Sequence, residues 1–181
     1  HQIEFLKMEI SEKDKIAYLN KMEKEIQQYE AENKTGNRIL DTILTTKSLN
    51  CQEKNIQMTC VADGKALDFV NPMDICSIFG NALDNAITSA EKVENPERRL
   101  IHVTVSQEKS FLRIKIENSF QGVLKMKNQL PITTKEDRRY HGFGLKSMKE
   151  IAEKYKGSMT VSAKDGWFEL RILIPLPESE K

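Results

Sequence analysis

The sequence GNALDNA occupies residues 80–86, inside an apolar stretch that covers about residues 73–93. Pro72 stands directly before this stretch, and proline is common in the first turn of a helix. Asn81 and Asn85 are four residues apart, so a helix presents both amides on one face. Amides on a mostly apolar helix are costly unless they are paired, and a metal ion, phosphate groups or the backbone of a neighbouring loop could supply the partner.

A second motif, HGFGLKS at residues 141–147, begins a predicted helix over residues 142–156. Two glycines at a helix start allow backbone N–H groups to approach an anion, although a plain turn would explain the same pattern. The preceding residues 119–141 form a long polar stretch without a period, and such loops are often functional. Asn118 ends the strand before this loop, where its amide could read a base edge or form a turn.

Alternating apolar residues predict strands over residues 101–106 and 111–117. A final hairpin is predicted over residues 159–174, with Asp165-Gly166 at its turn. A helix over residues 38–53 and a short strand over residues 56–61 precede these elements. Antiparallel hairpins with helices on one face predict an α+β two-layer sandwich.

Residues 1–34 are polar and carry narrow apolar stripes, which predict a helical hairpin with its turn near Ser11 and Asp14. These two residues resemble a capping box with Asp in place of Glu or Gln. Helices with so little apolar surface cannot bury a core alone. We therefore expect a homodimer through a four-helix bundle, with packing of the hairpin on its own domain as the alternative.

The composition excludes several classes of protein. The 181 residues are 39% hydrophobic, which excludes a wholly disordered chain, and the formal net charge of +1 argues against a nucleic-acid or membrane-surface partner. No apolar run approaches the roughly 20 residues that span a bilayer. Cys51, Cys60 and Cys76 have neither zinc-motif nor disulfide-framework spacing, so we expect reduced, mostly buried thiols.

In this order, the paired asparagines, the polar strand end, the long loop and the glycine motif resemble the GHKL (Bergerat-fold) ATP-binding module over about residues 35–176. Within that family the chain resembles the quorum-sensing-type GHKL histidine kinases of Firmicutes. The matching segments are Thr35-Gly36-Asn37-Arg38-Ile39-Leu40-Asp41, Gly80-Asn81-Ala82-Leu83-Asp84-Asn85-Ala86 and His141-Gly142-Phe143-Gly144-Leu145-Lys146-Ser147. The resemblance implies a GHKL catalytic domain over residues 35–181, preceded by a truncated dimerisation and phosphotransfer segment over residues 1–34.

The resemblance also implies roles for individual residues. Asn85 would help to coordinate Mg²⁺ that bridges the ATP phosphates, and Asn118 would accept a hydrogen bond from the adenine amino group. Asn81 occupies the place where the ATPase branch has a Glu that activates water. Because an amide cannot act as a general base, Asn81 favours phosphoryl transfer to a protein side chain over hydrolysis.

The cofactors implied are therefore ATP and Mg²⁺, and the glycine motif would hold the phosphates. The residues implied there are Gly142, Phe143, Gly144 and Leu145. Candidate charge partners in the loop and the motif are Lys135, Arg138, Arg139, His141 and Lys146.

The implied function is the catalytic domain of a two-component sensor histidine kinase, from whose phosphohistidine a response regulator takes the phosphoryl group. His1 resembles the trailing histidine of the family's H-D-x-K/N-H motif, so we expect the phosphoacceptor upstream of residue 1 rather than at His1. The chain would then be the cytoplasmic portion of a membrane-anchored sensor, attached to the membrane only through that absent upstream region.

Three departures from the family pattern leave alternatives open, and the absence of the phosphoacceptor is the most serious of them. Residues 117–122 read ENSFQG instead of D-x-G-x-G, and the terminal glycine box is reduced to DGWF at residues 165–168. Because the D-x-G-x-G motif and the acceptor are both missing, the chain could be a degenerate module that only dimerises and binds a regulator. A GHKL ATPase or an anti-sigma-type serine kinase is a further alternative, against which the absence of Glu at position 81 counts.

Overall fold

The structure is a computed structural model that describes residues 11–32, 34–124, 126–127, 130–131 and 142–178, the side chains at 28–32, 127, 130 and 142–143 excepted. The helices are α1 (Glu12–Glu32), α2 (Arg38–Glu53), α3 (Pro72–Glu91) and α4 (Gly142–Lys154). The strands are β1 (Gln57–Ala62), β2 (Leu100–Glu108), β3 (Phe111–Ser119), β4 (Met126–Lys127), β5 (Leu130–Pro131), β6 (Ser158–Lys164) and β7 (Trp167–Pro175). Short 3₁₀ helices cover Gly64–Leu67 and Pro96–Arg98.

Five strands form one sheet in the order β1-β2-β3-β7-β6. The hairpins β2–β3 and β6–β7 are antiparallel, as the alternating sequence pattern predicts, and β3 pairs antiparallel with β7. Strand β1 pairs parallel with β2, so the sheet is mixed rather than purely antiparallel. The reason is the connection, because α3 lies between β1 and β2 and parallel neighbours need such a crossover.

The central strand β3 shows why the sheet has one buried face. Its residues Leu112, Ile114 and Ile116 are almost completely buried. Lys115 and Glu117 point to the opposite face, where the Lys115 ammonium lies 3.3 Å from a Glu117 carboxylate oxygen. Strand periodicity of two thus separates an apolar face from a charged one.

The helices cover the apolar face of the sheet and form one core with it. The fully buried helical side chains come from α2, α3 and α4, and include Leu40, Leu44, Ile78, Phe79, Leu83 and Met148. This arrangement is the predicted α+β two-layer sandwich, and helix α1 precedes it. Among the described residues, no helix is both long and apolar enough to span a bilayer.

Polar caps define where the helices begin. Ser11 accepts from the backbone N–H of Asp14 at 3.3 Å and donates to its carboxylate at 2.6 Å, so the predicted cap is present before α1. Asn71 caps α3 by accepting from Met73 N at 2.9 Å, with proline at the first helical position. Residues 1–10, the first arm of the predicted hairpin, lie outside the described residues, and the domain boundary at residue 34 remains a prediction.

Two expectations from the sequence need correction. The stretch 119–141 is not wholly irregular, because β4 and β5 pair antiparallel within it. Cys76 is exposed, since its position on α3 points away from the core, whereas Cys51 is buried and Cys60 is half-buried. Desolvation by burial raises the pKa of both Cys51 and Cys60 to about 11.

Candidate functional site

Asn81 lies on the flank of α3 that faces α4, and Asn85 follows one turn later on the same side of the helix, here called the asparagine flank. Asn81 and Asn85 occupy successive turns and are both half-buried. The Asn81 amide nitrogen donates to the backbone oxygen of Ser77 at 2.7 Å, which fixes the side chain against its own helix. The amide oxygen is turned toward α4, as the position of Gly144 shows.

Helix α4 starts at Gly142, and its first turn lies against Asn81. A Cβ atom placed on Gly144 would lie only 3.2 Å from Asn81 Oδ1. Leu145 follows and is 7% exposed, so its side chain anchors this turn in the core. The first N–H groups of a helix have no partners within the helix, and they form a ready anion site. The glycine therefore allows this anion site to approach the asparagine flank.

Two serines extend the contact between the helices, and the sequence analysis did not identify them. The hydroxyls of Ser77 and Ser147 lie 3.5 Å apart, one turn away from the contact between Asn81 and Gly144. Ser77 stands four residues before Asn81, so the same helical spacing that pairs the asparagines could have indicated it. No spacing in the sequence indicates that Ser147 is the partner of Ser77.

Asn118 lies near the end of strand β3 and is 1% exposed. It shares the buried face of β3 with Ile114 and Ile116, and α3 covers that face. Its amide nitrogen donates to the backbone oxygen of Ser119 at 2.9 Å. The oxygen end of the amide is therefore the acceptor that an exocyclic adenine amine requires.

The structure brings together some of the predicted site residues. Asn81, Gly144 and Leu145 meet where α3 and α4 touch, and Asn118 lies on the strand beneath α3. Lys146 is exposed on the first turns of α4. Outside the described residues lie Lys135, Arg138, Arg139 and His141, together with the side chain of Phe143.

The start of α3 and the end of α4 are joined by a second polar contact, between Asp74 and Tyr155. The Tyr155 hydroxyl donates to Asp74 Oδ2 at 2.5 Å and accepts from Asn71 N at 2.9 Å. The Lys154 ammonium lies 2.6 Å from the same Asp74 oxygen. Partial burial alone raises the pKa of Asp74, but hydrogen bonds from Lys154 and Tyr155 and the Lys154 charge outweigh burial and lower that pKa. These contacts thus hold the start of α3 against the end of α4.

The donor chemistry of the flank fits a magnesium–nucleotide complex. Among the described residues, no group of three or more His, Cys, Asp or Glu side chains could hold a metal ion alone. Mg²⁺ does not require such a cage, because it takes few protein oxygens and completes its shell with phosphates and water. Amide oxygens on α3 and the helix start of α4 provide this combination.

A separate cavity of about 480 Å³ lies at the end of the sheet. It is bounded by the loop that follows α3 and by the turn between β6 and β7, and Ser119, Phe120 and Trp167 contribute to its walls. None of the predicted site residues that the structure describes lines this cavity. It adjoins Asn118 only through the next residue in the chain.

Comparison with protein families identifies the chain. The family model described as the GHKL domain matches residues 70–175, which is more than half of the chain. The chain belongs to the GHKL family. The match runs from the start of α3 to the end of β7, and it includes the asparagine flank, Asn118 and the glycine motif. A comparison with curated protein sequences gave no match.

Solved structures of histidine kinases share the fold of this GHKL chain. A nucleotide-free catalytic domain of the histidine kinase ThkA is 21% identical with a TM-score of 0.62, covering 79% of this chain and 96% of that one. The histidine kinase AdeS of Acinetobacter baumannii is 14% identical with a TM-score of 0.52, covering 94% of this chain and 88% of its own. Full-length ShkA in complex with AMPPNP is 16% identical with a TM-score of 0.53, covering 79% of this chain and 30% of its own.

Proposed function

We propose that this GHKL chain is the ATP-binding catalytic part of a two-component sensor histidine kinase. It would transfer the γ-phosphoryl group of Mg-ATP to a histidine, with the acceptor upstream of residue 1. The observation that carries the proposal is the close approach of Gly144 to Asn81 Oδ1, because it brings a helix start suited to phosphate against an amide oxygen, a ligand type that Mg²⁺ accepts.

Each described residue would have a separate task in nucleotide binding. Asn85 would supply an oxygen for Mg²⁺, and the charge of that ion, when bound, would offset charge on the phosphates. The backbone N–H groups at Gly142 and Gly144 hold phosphate oxygens at the helix start. The Asn118 amide oxygen accepts from the adenine amine, since its nitrogen already donates to Ser119.

Transfer rather than hydrolysis follows from the amide at position 81. Its nitrogen is bonded to the Ser77 carbonyl, and an amide does not take a proton from water at neutral pH. Catalysis would then consist of positioning and charge neutralisation, which suffices for phosphoryl transfer. A GHKL ATPase would need a general base that this position does not provide.

The partners follow from the same proposal. The kinase would dimerise through the N-terminal helices and pass its phosphoryl group to a response regulator. It would be the cytoplasmic portion of a membrane-anchored sensor. Helix α1 supports the dimer, because its side chains Ile16 and Leu19 are 56% and 51% exposed.

Titration of a fluorescent ATP analogue with Mg²⁺ tests the nucleotide site. We expect saturable binding by the parent chain, and loss of binding in Asn85→Ala and in the Gly142→Ala/Gly144→Ala double variant. Asn50→Ala is the matched control, because Asn50 is also a half-buried helical asparagine but lies on α2, outside the site. A folded parent chain that does not bind the analogue would overturn the kinase proposal and favour the degenerate scaffold.

Phosphoryl transfer needs a second experiment. The chain is incubated with radiolabelled Mg-ATP and a helical peptide that contains the family's histidine motif. We expect acid-labile label on the peptide histidine, with little free phosphate. Release of phosphate without labelled peptide would favour the ATPase alternative, and acid-stable label would favour a serine kinase.

A further inference from the structure

Two departures from the family pattern, ENSFQG and DGWF, meet at one end of the sheet. With Asn118 in place of the aspartate of D-x-G-x-G, Phe120 takes the place of the first glycine, and Phe168 ends the reduced glycine box. Phe120 N donates to the Gly166 backbone oxygen at 2.7 Å, so the pairing of β3 with β7 continues by one residue. The rings of Phe120 and Phe168 lie 6.3 Å apart between centroids.

Both rings lie on the same face of the sheet as Asn118. Phe168 is directly opposite Asn118 in the pairing of β3 with β7. Residues opposite each other in an antiparallel pair point to the same face, with Cβ atoms about 5 Å apart. Phe120 follows Asn118 by two residues, and strand alternation returns it to that face, where its ring meets Phe168. We call Phe120 and Phe168 the aromatic wall.

Within the sheet, the accessible surface beside Asn118 is aromatic. Ile116 precedes Asn118 on the same face of β3, and Ile101 is opposite it on β2. These two side chains are 1% and 0% exposed, so they offer no surface to a ligand. Phe120 and Phe168 are only partly buried. A base whose amine bonds to the Asn118 amide oxygen extends beyond that amide, and the surface that it meets there is the aromatic wall.

The arrangement of the two rings suits a flat aromatic ligand. Their planes are inclined at 48° and their centroids are 6.3 Å apart, so neither ring covers the face of the other. A phenylalanine ring stacks on any nucleobase, because every base has a π-face. The Asn118 oxygen adds selectivity, since it accepts from the amine of adenine and would face a second acceptor in guanine.

We propose that the aromatic wall is the stacking surface for the base of the nucleotide. This proposal rests on the proposed nucleotide-binding function. Phe120 and Phe168 hold the base by stacking, Asn118 accepts from its amine, and the phosphates lie at the start of α4. The aromatic residues in ENSFQG and DGWF then give this chain its own way of holding the base, instead of marking a site that has lost its ligand.

A comparison of ATP with inorganic tripolyphosphate separates the contribution of the base from that of the phosphates. Isothermal titration calorimetry with Mg²⁺ present gives a dissociation constant for each compound. We expect the parent chain to bind ATP more tightly than tripolyphosphate. Phe120→Leu and Phe168→Leu should each weaken ATP binding about tenfold, because leucine keeps an apolar side chain but has no π-face. The affinity for tripolyphosphate should not change, which shows that the fold and the phosphate half of the site are intact.

Phe69→Leu is the matched control. Phe69 forms a similar aromatic pair with Tyr155, at 6.2 Å between centroids, but lies before the start of α3. This variant should change neither affinity. Proton NMR adds a readout that a purely structural role would not move, because the ring current of a stacked phenylalanine shifts the adenine H2 and H8 resonances upfield. That shift should shrink in both variants of the wall and persist in Phe69→Leu.

The possible outcomes distinguish this proposal from the proposed function. ATP binding that is unchanged or tighter in both variants of the wall would overturn the stacking role, and Phe120→Leu decides if Phe168→Leu does not fold, since Phe168 packs on the core. A parent chain that binds ATP no better than tripolyphosphate would keep the phosphate half of the site and overturn the wall. A folded parent chain that binds neither compound would overturn the nucleotide site, and the role of the wall with it.

Histidine phosphorylation does not enter this test. A chain that binds ATP through the wall but labels no histidine would lose the proposed transfer reaction and still support the stacking surface.

Discussion

The hydroxyl of Tyr155, just beyond the end of α4, donates to Asp74 Oδ2 in the first turn of α3 across 2.5 Å. The same hydroxyl accepts from Asn71 N, the N–H of the residue that caps α3. In a capping box, a carboxylate of the helix itself reaches back to that N–H. Here a tyrosine from the other helix stands between the two groups, so the start of α3 is complete only when α4 is in place.

Tyr155→Phe should therefore lower the free energy of unfolding by about 1–3 kcal/mol, because Asn71 N and Asp74 both lose a partner. The ring contact with Phe69, at 6.2 Å between centroids, remains in this variant. Urea unfolding at neutral pH measures the loss. Lys154→Gln is the control and should cost less, since its ammonium is largely exposed. Equal losses of unfolding free energy in the two variants would show that the Tyr155 hydroxyl contributes no more than the Lys154 ammonium.

Asp74 also makes stability depend on pH. Its pKa lies below the ordinary value of 3.8 in the native chain, because the hydrogen bonds and charge of its partners outweigh partial burial. The native state thus binds this proton more weakly than the unfolded chain, so the stabilisation is present above pH 3.8 and is lost as the pH falls through the lowered pKa. Urea midpoints measured from neutral pH downward should fall less steeply in Asp74→Asn. Parallel curves for the two proteins would contradict this assignment.

Substitution by alanine should have opposite effects on stability at Gly80 and at Gly157. Gly80 lies inside α3, and a Cβ there would meet no atom within 4 Å. Gly80→Ala should stabilise the chain by about 0.5–1 kcal/mol, because alanine loses less backbone entropy in a helix. Gly157→Ala should instead destabilise it by about 1–3 kcal/mol, since its Cβ would lie 2.2 Å from the Leu173 backbone oxygen. Thermal unfolding of both variants tests the contrast, and a destabilising Gly80→Ala would refute it.

The sequence could predict what depends on neighbours along the chain. Alternation identified strand β3, and Asp165-Gly166 identified the final turn, where both residues have positive φ values of 53° and 79°. The parallel pairing of β1 with β2 was not predicted, because it depends on where α3 packs. The contact between Asp74 and Tyr155 joins residues 81 positions apart, and no periodicity records such a pair.

The sequence likewise predicted some features of the candidate site and not others. Helical spacing predicted that Asn81 and Asn85 share a face, and the glycine motif predicted the start of α4. That Gly144 meets Asn81 follows only from the packing of two helices that are distant in sequence. The hydrogen bonds that Asp41 accepts from Thr35 were not predicted either, although both residues belong to the motif at residues 35–41, because Asp in the first turn of a helix has many uses.

The three thiols should differ sharply in reactivity. Cys76 is exposed, whereas burial raises the pKa of Cys51 and Cys60 to about 11. At pH 8 only about a thousandth of a thiol with that pKa is ionised, and the thiolate is the nucleophile. Iodoacetamide should therefore modify one cysteine of the folded chain and all three in urea, as intact-mass spectrometry would show. Comparable rates at all three sites in the folded chain would refute the assigned burial.

Asn118→Asp tests the burial of the Asn118 amide, at the position where the family resemblance expects an aspartate. Asn118 is 1% exposed, and its nitrogen donates to the Ser119 carbonyl, a bond that a carboxylate cannot make. The variant should lose about 3 kcal/mol or more of stability at neutral pH, since a buried charge then faces a carbonyl oxygen.

Desolvation raises the pKa of the introduced aspartate, so the native variant binds its proton more tightly than the unfolded chain. The loss should consequently be smallest at acidic pH and grow as the pH rises, which urea unfolding from pH 4 to 8 measures. Asn95→Asp is the matched control, because Asn95 is exposed and accepts from Glu97 N at 3.1 Å, a bond that a carboxylate oxygen can also accept. If Asn118→Asp were as stable as this control at neutral pH, the Asn118 side chain would not be buried against Ser119, and its assignment as the acceptor for adenine would fail with it.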